Sequence, residues 1–195
     1  MSACATLTTG INPGCAAIKK VGGVDKRVWI GETKDIDITA ITFGSNDEVT
    51  AFDLISTKTL KKFIGKNDKH SGKSTPVPGV NVALWNQEVS LVLYIKTAAE
   101  RKAYADLCEA EDLFIIMETN AGDLEVYGIS CKGVDGIDSY GLKMSGGEKG
   151  TGVLKNDDTS AKVTLAYPEM PNMDLLFIPA TVIGTNITAL DALSA

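Results

Sequence analysis

The chain has 195 residues, 44% of them hydrophobic and 23% charged, which is enough for one domain with its own core, or one domain plus arms. Its net charge of -6 gives no overall pull toward nucleic acid or anionic lipid, since both need concentrated positive charge, although a local basic patch stays open. No run nears the roughly 18 apolar residues of a membrane span, and Met1–Gly10 lacks the basic and apolar stretches of a secretory signal, so no membrane partner is expected.

In chain order, Met1–Gly23 is small, polar and Gly-rich, with no sustained period, and reads as an arm. A first strand is predicted over Arg27–Ile30, stopped by Gly31. In Ile36–Phe43 the apolar residues change face after Ala40, which predicts a bulge or a strand covered on both faces. Val49–Lys61 is β-branched and reads mostly as strand. Residues 66–78 are polar, with Pro76 and Pro78 at the end, and predict a long exposed loop.

The clearest strand follows, with Val89, Leu91, Leu93 and Ile95 on one face. Thr97 and Glu100 form a capping box for a helix over Ala98–Ala110, whose stripe is Ala99, Ala103, Leu107 and Ala110. Leu113–Glu118 and Asp123–Ile129 flank a Gly-containing hairpin turn. Gly146–Gly152 reads as a flexible glycine run. Ala161, Val163, Leu165 and Tyr167 alternate in a last strand. Asp174–Ala195 is apolar and reads as an arm that packs on this subunit or a neighbour.

Residues that could carry chemistry stand in unpromising places. Gly72-Lys73-Ser74 resembles the tail of a phosphate-binding loop, but the glycine required five positions earlier is Asn67, and Pro76 and Pro78 oppose the helix that should follow. His70, the single histidine, sits in the polar loop and is expected to be exposed, with nothing to hold it as a catalytic base. The carboxylate pairs Glu109/Glu111/Asp112, Asp123/Glu125, Asp135/Asp138 and Asp157/Asp158 fall at turns or strand edges, where solvent keeps them ordinary. Cys4, Cys15, Cys108 and Cys131 lack metal-ligand spacing and read as reduced thiols, with weak support for a Cys4–Cys15 bridge. Trp29 and Trp85 suit a core or subunit interface better than a base-stacking platform. No catalytic, cofactor-binding or metal residue is expected, and no cofactor.

The order of strands, polar loop, strong strand, capped helix, hairpin and further strands resembles the tail-tube proteins of tailed bacteriophages. The resemblance spans Val28–Tyr167, 140 of the 195 residues, and rests on Ser90–Ile95 with its following helix, Leu113–Ile129, and Ser160–Glu169. Gly14–Gly31 and Gly128–Gly152 also resemble virion proteins of phages that infect Bacteroidota, crAss-like phages included. The resemblance implies a mainly β fold: an antiparallel β-sandwich or barrel of the tail-tube type with one flanking helix, a long interstrand loop and terminal arms. It implies a division into an N-terminal arm (1–27), a β domain (28–167) and a C-terminal arm (168–195). It further implies a non-enzymatic subunit of a homo-oligomeric ring, a hexamer or dodecamer, in the virion tail tube or head–tail connector. Such a ring meets neighbouring tail or neck proteins and passes DNA without reading its sequence. The alternative reading is a non-catalytic β-sandwich module for capsid decoration or host-glycan recognition.

Overall fold

A computed structural model describes residues 24–45, 48–64, 69–78, 83–95, 97–131, 140–150, 160–178 and 183–194. The strands are β1 (Val24–Glu32), β2 (Thr42–Phe43), β3 (Val49–Ala51), β4 (Lys61–Ile64), β5 (Ser71–Pro76), β6 (Trp85–Leu93), β7 (Leu113–Thr119), β8 (Leu124–Tyr127), β9 (Lys143–Lys149), β10 (Ala161–Met170) and β11 (Leu175–Leu176). The helices are α1 (Ala98–Glu109) and α2 (Ile183–Leu193).

A five-stranded antiparallel sheet in the order β11-β8-β7-β1-β4 forms the middle layer. Strand alternation splits its side chains between two cores. Val28, Ile30, Leu113, Ile115, Met117 and Tyr127 face the second sheet, β5-β6-β10-β9, whose Val89, Leu91, Val163 and Leu165 meet them. Trp29, Phe114, Ile116, Leu124 and Val126 face the other way, where Val49, Phe177 and Leu190 of α2 cover them. Strand β7 is therefore apolar on consecutive positions, "LFIIM", with both faces buried.

A buried polar network joins the two large sheets. Gln87 of β6 donates through Nε2 to the Asn172 carbonyl at 3.1 Å, and its Oε1 accepts from the Gly128 amide at 2.8 Å. Asn172 in turn donates to the carbonyls of Ile129 (3.1 Å) and Met173 (2.7 Å), and its Oδ1 accepts from the Cys131 amide at 3.3 Å. Gly128 has a φ of +83°, and a Cβ there would lie 2.4 Å from the Leu113 carbonyl oxygen, so no side chain fits. A second lock fixes α2. Trp29 Nε1 and Lys62 Nζ both donate to Asp191, at 3.0 and 2.6 Å, and Leu60 N–H donates to the Leu193 carbonyl at 2.9 Å.

The hairpin β7–β8, the alternation in β6 and β10, and the capping box of α1 stand as the residue pattern predicts. Other expectations require correction. No sheet of the described residues closes into a barrel, because β4 and β11 end the middle sheet as separate edges. Among the described residues there are two α-helices instead of one. The segment read as an arm packing on this subunit or a neighbour packs on this subunit, as β11 and α2, through Leu175, Phe177 and Leu190. The polar loop contains β5, paired with β6 over six residues, since backbone pairing asks for no apolar side chain. Gly146 and Gly147 lie within β9, paired with β10. Val49–Lys61 is mostly irregular, with strand only at Val49–Ala51 and from Lys61. The first strand runs through Gly31 to Glu32, and β10 continues past Pro168 to Met170 with a register shift. The segment 36–43 keeps only the short strand Thr42–Phe43.

The network gives a test. Asn172→Ala removes the side-chain donor to the buried Ile129 carbonyl, a loss of about 1–3 kcal/mol, so the unfolding free energy should fall by about 1–3 kcal/mol. Urea titration checks this, and an unshifted midpoint would mean that water replaces the side chain without loss.

Candidate functional site

Gly72-Lys73-Ser74 lies in the middle of β5, where no ring of free amides can form around a phosphate. Gly72 is there for packing: a Cβ would sit 2.5 Å from both Met117 Cε and Tyr127 Cζ, so β5 crosses the second sheet's face of β8 without a side chain between. Lys73 pairs with Glu88 at 3.0 Å, and Ser74 Oγ accepts from the Asp174 amide at 3.0 Å. All three residues belong to sheet edge and core.

His70 is 2% exposed, which corrects the expectation of a solvated side chain. Its Nδ1 accepts the Val92 amide of β6 at 3.2 Å, just before β5 begins, so the ring substitutes for a missing strand carbonyl. The tautomer is thereby Nε2–H, and Nε2 is buried without a hydrogen-bond partner. Burial depresses the imidazole pKa below its ordinary 6.5, because charging it would strand a cation and break the Val92 bond.

Among the carboxylate pairs, Asp135/Asp138 and Asp157/Asp158 lie outside the described residues, as do Cys4 and Cys15. Glu109 and Glu111 are exposed, and Asp112 lies 3.6 Å from the Lys143 ammonium. Glu125 departs from the expected solvation. Burial raises its pKa, opposed by a 2.9 Å hydrogen bond from the Tyr127 hydroxyl, while Asp174 and Asp123 add negative charge nearby. Trp29 is fully buried in the middle sheet, and Trp85 is half-buried at the start of β6, so the two indoles sit in different sheets. Cys108 and Cys131 are both half-buried.

A groove of about 820 Å³ opens between α1 and the edge strand β4. Its apolar wall includes Phe63, Ile95, Ala103, Tyr104, Leu107 and Ala110. The sequence stripe on α1 explains the opening. Leu107 is buried, whereas Ala99 and Ala103 remain exposed, so the helix covers its side of the sandwich incompletely. Tyr104 anchors it by donating to the Lys162 carbonyl of β10 at 2.9 Å. On the rim stand Glu32, Asp35 and Asp106, with Lys61 and Lys62 on β4, and Ile64 at the strand end is 62% exposed.

The opposite edge of the middle sheet has a different chemistry. Met173, Leu176 and Ile178 are 49%, 47% and 50% exposed, beside the carboxylates of Asp174 and Glu125. Strand β3 covers the far end of this edge, where the Ile178 amide donates to the Val49 carbonyl at 2.8 Å, and Ser74 of β5 takes the Asp174 amide at the near end, which leaves Leu176 between them. These two edges were not legible in the sequence, because edge position is a property of strand order. The apolar run Leu175–Ile178 in a proline-flanked stretch was the available signal.

No protein-family model, curated protein or solved structure matches the chain. Among the described residues no His, Cys, Asp and Glu side chains gather in threes as a metal site, and no helix is long and apolar enough to cross a membrane.

His70 supplies a pH test. Its folded pKa lies below the unfolded value, so the unfolded chain takes up a proton that the folded chain refuses. Stability is full above about pH 6.5 and falls as pH drops from there toward the folded pKa. Urea midpoints between about pH 7.5 and 5.5 should decline in the native chain, with a shallower slope in His70→Asn. Parallel slopes would assign the decline to other groups.

Proposed function

We propose that the chain is a non-enzymatic structural subunit of a tailed-phage virion, one copy of a homo-oligomeric ring in the tail tube or head–tail connector. One observation carries the reading: the middle sheet ends in two unlike edges, on opposite sides of one molecule. Strand β4 offers lysines and an apolar groove, and β11 offers carboxylates and exposed aliphatic side chains. Monomeric proteins avoid leaving such edges open, since unpaired strands recruit other chains. Unlike edges on opposite sides favour a head-to-tail contact, and repetition of that contact closes a ring when the rotation per copy divides a full turn. Ring closure lies in the angle between copies, so it does not require a closed barrel within one.

The resemblance to tail-tube proteins in strand and helix order adds the virion setting. The net charge of -6 suits a wall past which DNA slides, because acidic side chains repel phosphate. His70 and Gly72-Lys73-Ser74 are committed to strand pairing and packing, which favours a structural over a chemical role for the loop.

Light scattering and negative-stain imaging across a concentration series test the proposal. Ring-shaped particles whose mass grows by whole copies are the expected result. Single copies at every concentration would reject it, and single copies that retain a host glycan would favour the binding-module reading.

A further inference from the structure

We infer that the β11 edge of one copy seats against β4 of the next, beneath α1, so that the middle sheets of successive copies run on into one another. This rests on the ring reading and names the two surfaces that mate. Facing residues decide it. Val28 pairs with Phe63 and Ile30 with Lys61, and since Val28 and Ile30 point toward the second sheet, so do Phe63 and Lys61. On β11, Leu175 and Phe177 point into the opposite core, so alternation sends Leu176, Ile178 and, one step before the strand, Asp174 to the same side as Phe63 and Lys61. Asp174 indeed lies close enough to raise the pKa of Glu125, which shares that side with Tyr127.

Direction agrees as well. Every neighbouring pair in the middle sheet is antiparallel, so after four pairings β11 and β4 run the same way. Placed edge to edge in continuing sheets, Asp174 comes beside Lys61 and Leu176 beside Phe63. Leu176 and Ile178 then project into the groove beside Ala103, which its own subunit leaves exposed on α1. Exposed aliphatic surface meets an apolar groove, and carboxylate meets ammonium. The outward amides of Ile178 and Asp174 are already taken by Val49 and by Ser74 Oγ within the subunit, so of these only Leu176 is left for a shared ladder and side chains carry the contact. The occupant is thus a second copy of this chain.

A charge swap tests the match. Lys61→Glu and Asp174→Lys, each alone, should weaken self-association at least tenfold by sedimentation velocity. Both changes in one chain should bring it back to within about threefold of the native chain, since each copy then offers the reversed pair to its neighbour. Both side chains stand outside the buried cores, so circular dichroism and the urea midpoint should match the native chain. As a second readout, Ala103→Cys chains mixed with Ile178→Cys chains should form a disulfide joining position 103 of one to position 178 of the other, located by peptide mass spectrometry. If native rings form, but the doubly changed chain is no better than the single variants and the mixed disulfide is absent, the edge assignment falls while the ring reading stands. If the native chain remains single at all concentrations, both fall.

Discussion

Strand β7 can exist only as the centre of a layered structure. Five consecutive apolar side chains, Leu113 to Met117, alternate between two faces of one sheet, and both faces need cover. Burying them stabilises the fold at about 25 cal/mol per Å² of apolar surface, which makes this strand and its partner β1 the apolar axis of the molecule. The second sheet answers one face, and β3, Phe177 and α2 answer the other. Everything placed outside those layers is free to serve as edge, groove or rim.

The two covers are fastened by different chemistry. Gln87 and Asn172 bind the second sheet through neutral hydrogen bonds to backbone groups, in a largely buried site where an unmade bond is costly. Asp191 fastens α2 through Trp29 and Lys62 near the surface. Partial burial pushes its carboxyl pKa up, and the bonds from Lys62 and Trp29 bring it net below the ordinary range. The first lock is insensitive to pH and salt, whereas the second loses strength as acid protonates the carboxylate. Lys62 also reaches over the Trp29 ring at 5.7 Å, so one lysine joins β4, the core indole and α2. Strand β4 is thus held rigidly on its inner side while its outer side stays open.

Legibility in the sequence followed side-chain periodicity. The alternating residues of β6 and β10, the β7–β8 hairpin and the Thr97–Glu100 box are local signals, and each element stands where its signal lies. Strand β5 was illegible because Gly72, Ser74 and Thr75 carry no hydrophobic pattern; its pairing partner β6 makes it a strand. His70 was illegible for a related reason, since its burial comes from capping an amide 22 residues away. Helix α2, with Ile187, Leu190 and Leu193 packed on the core, hides in a β-branched, weakly helical stretch that tertiary contact stabilises.

The amino-acid order by itself determined a β-rich chain with a capped helix and with two segments that must be buried on both faces or one. Hydrophobic period and capping chemistry act within a few residues of each other, so no tertiary information is needed to read them. Strand order, the openness of the β4 and β11 edges, the exposure of half the α1 stripe and the burial of His70 were decided only by tertiary structure. Each depends on which distant segment lies alongside, and the free energy of that choice is shared among many residues rather than written in any one stretch.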